Sequence, residues 1–261
     1  MEHKQTKTDP THFPVLKKIF IQFAMRIEAE PFLAKINAVP IFPLWSKGLP
    51  FITYEGSYRN LNFMVGIAGV DPRHDVDSIG SVPAAVLAQL AIQNLTPDLL
   101  LNAGTCGGFQ SKGHQMGQVM IGTEYVAFHH RRINIPKMHA YGIGKYPVCH
   151  SEKLREYLGL KTGIVTTGDA LDCSKEDQAF IQANGGTLKE MEGAGIGWVC
   201  SYSKTPLLLL KTVTDYVDHP TDTAEQFFKN YKASVENLTQ DLFRILEYLS
   251  ENPDDPIWEK S

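Results

Sequence analysis

The sequence lacks several features that would assign the protein to a common class. None of its apolar runs approaches the roughly 18 residues of a membrane-spanning helix. Its four cysteines, at positions 106, 149, 173 and 200, have no spacing typical of a metal site, and a chain of 261 residues does not need disulfides. Residues 1–9 are polar and do not form a signal peptide. We therefore expect a cytoplasmic protein with free thiols and no membrane attachment.

The sequence also has no excess of positive charge. The formal net charge is −4, and the only tight basic cluster is His-His-Arg-Arg at 129–132, so we expect no binding to nucleic acid. The nine histidines show no metal-ligand spacing, and no base in the sequence is paired with Cys106. We predict neither a metal site nor a cysteine nucleophile.

A glycine-rich stretch at 102–108 follows a predicted apolar strand. It lacks the glycine spacing and the lysine of a phosphate-binding P-loop, and it does not match the dinucleotide motif GxGxxG. We predict a turn whose backbone could approach a ribose or a small anion closely. A turn with a purely structural role fits these residues equally well.

The composition of the whole chain is typical of a soluble α/β domain, with 43% apolar and 21% charged residues. Strands alternate with helices, which predicts a three-layer α/β fold with a mixed central sheet between helices. Strands are predicted at 18–24, 51–54, 61–66, 98–102, 118–128, 163–168, 187–191 and 207–213. Helices are predicted at 28–37, 82–95, 175–183, 193–202 and 223–250, and a long loop at 129–149. We assign 1–17 to a flexible leader, 18–250 to one domain and 251–261 to a tail.

The last predicted helix is amphipathic. Its apolar residues recur every three or four positions, so we expect them to form one face that packs on the core. These residues are Phe227, Tyr231, Val235, Leu238, Leu242, Ile245 and Leu249.

Carboxylates lie near the predicted ends of three strands. Glu28 follows the first strand, Glu190 and Glu192 lie at the end of a short strand, and Asp215 follows the last strand. Because open α/β sheets bind ligands outside the carboxyl ends of their strands, these side chains could converge on one site. Neighbouring residues on a strand alternate faces, so we expect only one of Glu190 and Glu192 to face a ligand.

Each of these carboxylates also has a structural interpretation. Glu28 could be an ordinary acid in the first turn of a helix, where it complements the helix dipole. Glu190 and Glu192 could form a solvated strand end. Asp215, together with Asp218, could cap a helix.

Five segments, in chain order, resemble the 5'-methylthioadenosine/S-adenosylhomocysteine nucleosidases of the purine nucleoside phosphorylase superfamily. They are AMRIEAE, NAGTCGG, TGDALD, KEMEGAG and KTVTDYVD, and the resemblance spans about residues 18–249. DSIGSVPA at 77–84 and HHRRINIP at 129–136 are most similar to the plant-type branch. The resemblance implies a nucleoside phosphorylase-like fold, a homodimer, and hydrolysis of methylthioadenosine to adenine and methylthioribose in methionine salvage. It leaves S-adenosylhomocysteine open as a second substrate and implies no metal or organic cofactor.

The resemblance also implies roles for individual residues. Glu28 would be the base that activates water, and Glu192 would bind the ribose hydroxyls. Asp215, oriented by Thr214, would be the acid that protonates adenine at N7. The remaining substrate-binding residues would be Met25 and Met191 against the sugar and its alkylthio group, Leu171 and Asp172 beside the purine, Thr105 in the glycine-rich stretch, and Lys189 and Glu190 at the border of the site.

This chemistry requires particular protonation states. The ribosidic bond breaks through a transition state that resembles an oxocarbenium ion, and adenine leaves readily only when N7 is protonated. We therefore expect burial and nearby carboxylates to raise the pKa of Asp215, so that it keeps a proton near neutral pH. We expect Glu192 to be ionised, because a negative charge stabilises the positive charge that develops on the ribose.

Three other functions fit parts of the sequence. A phosphorylase of the same fold would use phosphate, but residues 100–104 at the start of the glycine-rich stretch include no arginine, and Glu28 offers a base for water. A nucleoside-binding protein would not need all three carboxylates, and a futalosine-type hydrolase would share the chemistry. Arg73 could bind an anion, although we favour a surface pair with Asp71 or Asp75.

Overall fold

The computed structural model describes residues 17–42 and 46–258. The strands in this part of the chain are β1 Lys18–Phe23, β2 Val39–Ile41, β3 Ile52–Tyr58, β4 Leu61–Ile67, β5 Val70–Asp71, β6 Val76–Asp77, β7 Leu99–Gly108, β8 Val119–Phe128, β9 Tyr146–Pro147, β10 Lys161–Thr167, β11 Leu188–Glu190 and β12 Leu207–Tyr216. The helices are α1 Arg26–Lys35, α2 Ser81–Leu95, α3 Met138–Ile143, α4 Glu152–Leu158, α5 Lys175–Ala183, α6 Gly193–Ser203 and α7 Thr223–Glu251.

A mixed sheet forms the middle layer. Its strands lie in the order β11-β10-β8-β12-β7-β1-β4-β3-β2, and β9 pairs with β8. Strand β12 runs parallel to β7 and antiparallel to β8. Strand β11 also pairs with the end of β7, so that β7, β12, β8, β10 and β11 close into a ring. This closure brings the end of β11 beside the ends of β7 and β12.

Two apolar cores lie on opposite faces of the sheet. Strand β1 shows the alternation directly, because Ile19 and Ile21 belong to one core and Phe20 to the other. Helices α1, α4 and α7 cover the first face, and α2 and α6 cover the second. The three-layer fold predicted from the sequence is confirmed.

Strand β7 is longer than predicted. The glycine-rich stretch 102–108 is not a turn, because it continues β7 as far as Gly108 and stays paired with β12. Its glycines allow side chains from other elements to come close to the strand. A Cβ on Gly104 would lie 3.1 Å from Glu28 Oε1, and a Cβ on Gly107 would lie 2.7 Å from Asp215 Oδ2.

The segment 129–149, predicted as a loop, contains the short elements α3 and β9. Arg131 holds it together, since its guanidinium lies over the rings of Phe128 and Tyr141 at 4.1 and 5.0 Å and donates to the Tyr146 hydroxyl at 3.1 Å. Helix α4 was also not predicted, because it is a seven-residue helix with a short apolar pattern.

The leader 1–17 lies outside the described residues except for Lys17. Part of the predicted tail is packed. Ile257 and Trp258 are buried in the same core as α7, and Asp255 accepts hydrogen bonds from Ser151 and Tyr248. No helix of the described residues is long and apolar enough to cross a membrane.

Candidate active site

Glu28 is the third residue of α1 and is buried. Its Oε1 accepts hydrogen bonds from the backbone N and the hydroxyl of Thr105, both at 2.7 Å, and its Oε2 accepts from the backbone N of Met25 at 3.1 Å. The bond to Met25 is the one expected of a first-turn acid, but the side chain turns inward to β7. Burial raises the pKa of Glu28 above its ordinary value despite these three donors.

Glu190 and Glu192 both line one cavity at the end of β11, although only one of them was expected to face a ligand, and their partners differ. The strand ends at Glu190, so strict alternation no longer applies at Glu192, which precedes α6. The oxygens of Glu190 are occupied by four donors of the protein: Thr167 Oγ1, Lys211 Nζ and the backbone N of Glu192 and Gly193. Glu190 therefore has little capacity left for a substrate.

Glu192 has much more hydrogen-bonding capacity left. Its Oε1 accepts from the backbone N of Gly80 at 2.8 Å, and no other donor among the described residues reaches its carboxylate. Burial, and then the charge of Glu190, raises the pKa of Glu192 to about 8. This pKa favours the protonated form of Glu192 near neutral pH, whereas the reaction is expected to use its ionised form.

Asp215 enters the same cavity from β12. The pairing of β12 with β7 shifts between Val213 and Asp215, so that Thr214 is an extra residue in a β-bulge. Bulges re-aim the side chains beside them. Here Thr214 Oγ1 donates to Asp215 Oδ1 at 2.8 Å, and the other oxygen lies next to Gly107. Burial raises the pKa of Asp215, as expected, but neighbouring carboxylates do not contribute to the rise.

Lys189 shapes the edge of the cavity. Its Nζ donates to the carbonyl oxygens of Ala170 and Leu171 at 2.6 and 3.0 Å, which fixes the loop after β10. Leu171 from this loop lines the cavity, whereas the neighbouring Asp172 is exposed and does not.

The cavity has a volume of about 260 Å³ and gathers ten of the eleven predicted site residues, with Asp172 outside it. Its wall is largely apolar and includes seven residues that the sequence analysis did not assign to the site. These are Ala24, Ile79, Cys106, Gly107, Ala224, Phe227 and Phe228.

Phe227 was expected to pack on the core. Instead it is half-buried, lines the cavity and stacks on Tyr231 with ring centroids 5.8 Å apart. Phe228 beside it is mostly exposed. The sequence does contain a signal for this part of the site. Phe227 and Phe228 are adjacent, and Phe228 places an aromatic ring on the polar face of α7.

Arg73 lies elsewhere. Its guanidinium donates to Asp71 Oδ2 at 2.6 Å, and neither residue lines the cavity. The predicted surface pair is confirmed. Arg73 also holds the pKa of Asp71 well below its ordinary value.

A family model described as the phosphorylase superfamily matches residues 18–250. The chain belongs to the phosphorylase superfamily. Two curated members from Arabidopsis thaliana are similar to it over most of their length. A 5'-methylthioadenosine nucleosidase is 38% identical over 91% of this chain and 88% of the relative. A 5'-methylthioadenosine/S-adenosylhomocysteine nucleosidase is 36% identical over 91% of this chain and 93% of the relative.

Two solved structures share the fold of this chain. The structure of Arabidopsis thaliana 5'-methylthioadenosine nucleosidase in apo form has a TM-score of 0.87 and 37% identity, and the match covers 90% of this chain and 96% of that one. A futalosine hydrolase of Helicobacter pylori has a TM-score of 0.71 at 22% identity, over 90% of this chain and 99% of that one, which shows the shared fold alone. The resemblance stated from the sequence motifs is confirmed.

Members of a phosphorylase superfamily could use either phosphate or water as the nucleophile. Among the described residues that line the cavity, Lys189 is the only cationic side chain, and its ammonium already donates to two carbonyl oxygens. A phosphate ion would meet Glu28, Glu192 and Asp215 without a free cation to balance its charge. The lining therefore favours an uncharged nucleophile.

Proposed function

We propose that the chain hydrolyses the N-ribosidic bond of 5'-methylthioadenosine to adenine and methylthioribose, as a step of methionine salvage. The name of one Arabidopsis relative adds S-adenosylhomocysteine as a second candidate substrate. One observation carries the proposal: three buried carboxyl groups, of Glu28, Glu192 and Asp215, face one largely apolar cavity from three different elements. The names of the Arabidopsis relatives support the choice of substrate.

The three carboxyl groups divide the reaction between them. Asp215, whose pKa is raised by burial, holds the proton that adenine N7 needs as it leaves. Glu192 binds the ribose hydroxyls through its unoccupied oxygen, and its charge is favoured when positive charge develops on the sugar. Glu28 accepts the proton of the attacking water. Thr214 orients Asp215 through their hydrogen bond.

The apolar wall suits the remainder of the substrate. We assign the sugar and its alkylthio group to Met25 and Met191, and we add Phe227 and Phe228 from the start of α7 to this set. We place the purine beside Leu171, whose carbonyl oxygen accepts a hydrogen bond from Lys189. Thr105 lines the nucleoside site and also fixes Glu28.

The test is adenine release from methylthioadenosine in buffer with and without phosphate, with mass spectrometry of the sugar product. We expect phosphate-independent release and free methylthioribose. A requirement for phosphate together with a sugar 1-phosphate product would make the protein a phosphorylase. Absence of adenine under both conditions would contradict the proposed function.

We also propose that the protein is a homodimer. Helices α2 and α6 pack against each other, and their outer faces expose Val82, Val86, Trp198 and Tyr202 as an apolar patch. Sedimentation equilibrium should give twice the 29.1 kDa mass of the chain. We expect Val82→Asp to yield monomers and Val39→Asp, an equally exposed valine on β2, to leave the dimer intact. A monomeric wild type would contradict this proposal.

We propose a cytoplasmic location on the basis of the four cysteines. All four are free in the structure, which suits a reducing compartment. Fractionation of the producing cells should place the native protein with cytoplasmic markers.

A further inference from the structure

Lys211 is a charged side chain buried in the middle of β12. It is 1% exposed and does not line the cavity. Its Nζ donates to Asn102 Oδ1 at 2.8 Å and to Glu190 Oε2 at 3.0 Å. A buried ammonium is costly unless it is paired and hydrogen-bonded, and Glu190 and Asn102 meet this requirement for Lys211.

Glu190 connects this ammonium to the candidate site. Its Oε2 accepts hydrogen bonds from the backbone N of Glu192 at 3.1 Å and of Gly193 at 2.8 Å. Thr167 donates to the other oxygen of Glu190 and accepts from the backbone N of Ala194 at 2.7 Å. Glu190 and Thr167 thus cap the start of α6 and fix the main chain from which the Glu192 side chain leaves.

The partners of Glu190 favour its ionised form. Lys211 and the two backbone N–H groups can only donate hydrogen bonds, and the Thr167 hydroxyl donates to Glu190 while it accepts from the backbone N of Ala194. A proton on Glu190 Oε2 would point at these donors. Burial by itself would raise the pKa of Glu190, but the charge of Lys211 and the hydrogen bonds outweigh burial and lower it.

We propose that Lys211 is a positioning residue for the hydrolysis: it keeps Glu190 ionised, and Glu190 in turn holds the backbone of Glu192 so that its carboxylate meets the ribose. This inference rests on the proposed function. In this proposal Glu190 supports the main chain of Glu192 and does not bind the substrate itself, although the sequence analysis placed Glu190 among the substrate-binding residues. Lys211 touches neither substrate nor reacting atoms in this scheme.

The test begins with Lys211→Met, which keeps the length of the side chain and removes its charge. We expect kcat for methylthioadenosine to fall by roughly 10²-fold, because a small displacement of a catalytic group has effects of this size. KM should change far less, since the apolar wall of the cavity is intact. Lys211→Arg should recover a large part of kcat because it retains the charge. Lys153→Met, at an exposed lysine of α4, is the matched control and should behave as wild type.

A double-mutant cycle with Glu190→Gln tests the route through Glu190. If Lys211 acts through Glu190, the double variant Lys211→Met/Glu190→Gln should be no slower than the slower single variant. Circular dichroism and thermal melting would show the folded fraction, and rates would be expressed per folded protein.

Three results would overturn the proposal. The first is a folded Lys211→Met with wild-type kcat, and the second is a double variant whose loss is the product of the two single losses. The third is failure of Lys211→Arg to exceed Lys211→Met. In each of these cases an active wild type leaves the proposed function standing. Absence of adenine release by the wild type would overturn the proposed function and the role of Lys211 with it.

Discussion

At the scale of single residues, two glutamates separated by one position have pKa values shifted in opposite directions, although burial by itself raises both. Glu190 has a lowered pKa because Lys211 and several donors outweigh its burial, whereas burial and the charge of Glu190 raise the pKa of Glu192. The sequence shows two equivalent carboxylates around Met191. Their surroundings make Glu190 a support for the main chain and leave Glu192 free for a ligand.

Asp215→Asn is expected to lower kcat by at least roughly 10²–10⁴-fold, the usual contribution of a general acid, because the amide cannot protonate adenine. The fold should persist, since Asn can still bond Thr214. Steady-state kinetics would measure the loss. The control is Asp254→Asn, which changes an exposed carboxylate outside the cavity and should retain activity. Near-normal turnover by Asp215→Asn would refute the acid assignment.

Glu192→Gln should alter how stability depends on pH. The pKa of Glu192 rises from 4.5 to about 8 on folding, so the folded state binds the proton more tightly than the unfolded state. This contribution to stability is complete below the unfolded pKa and is lost as pH rises through the folded pKa. The Tm of Glu192→Gln minus that of wild type should therefore increase from about pH 5 to about pH 9. Differential scanning calorimetry would measure it, with exposed Glu156→Gln as control, and a constant difference would contradict the prediction.

At the scale of elements, irregularities of the strands place the carboxylates. The bulge at Thr214 brings Asp215 into the cavity, and the end of β11 at Glu190 releases Glu192 from strand alternation. The glycines of β7 leave room for both Glu28 and Asp215. None of these features follows from apolar periodicity, which is why the sequence predicted a turn at 102–108.

Gly107→Ala should reduce activity more than stability. The new methyl group would lie 2.7 Å from Asp215 Oδ2 and 2.9 Å from Val217 Cγ2, so the acid must move. Overpacking of this kind costs about 1–3 kcal/mol. Gly108→Ala is the matched control, because its methyl group would meet His114 and Val213 instead. We expect urea titrations to show comparable losses and only Gly107→Ala to lose kcat per folded molecule. Equal kcat losses in both variants would count against this account.

At the scale of the whole molecule, the C-terminal segment completes one of the two cores. Trp258 packs with α7 and donates from its indole to the carbonyl oxygen of Asn252 at 3.2 Å. Lys17 lies over its ring at 5.2 Å. Lys17 and Trp258, at the two ends of the described chain, therefore lie in contact on one side of the sheet. Both residues lie outside the range 18–250 that was assigned to the domain from the sequence.

Trp258→Ala is expected to lower the free energy of unfolding by about 3–5 kcal/mol, the usual loss for a buried Trp. The cavity lies elsewhere in the molecule, so kcat of the folded variant should be unchanged. Chemical denaturation and kinetics would measure the two quantities. Phe42→Ala, at a highly exposed aromatic residue, should cost little. A Trp258→Ala variant as stable as wild type would show that the segment does not support the core.

The sequence by itself determined the layers of the fold and the identity of the candidate carboxylates. Apolar runs and helical periodicity depend on local side-chain patterns, which is why β1, β12 and α7 could be predicted, and the motifs pointed to Glu28, Glu192 and Asp215. Tertiary structure decided which groups meet. The pairing of β11 with β7, the partners of Glu190 and the turn of Phe227 into the cavity depend on contacts between residues far apart in the chain. The raised pKa of Glu192 follows from burial and from the neighbouring charge of Glu190, and burial is not readable from residue order.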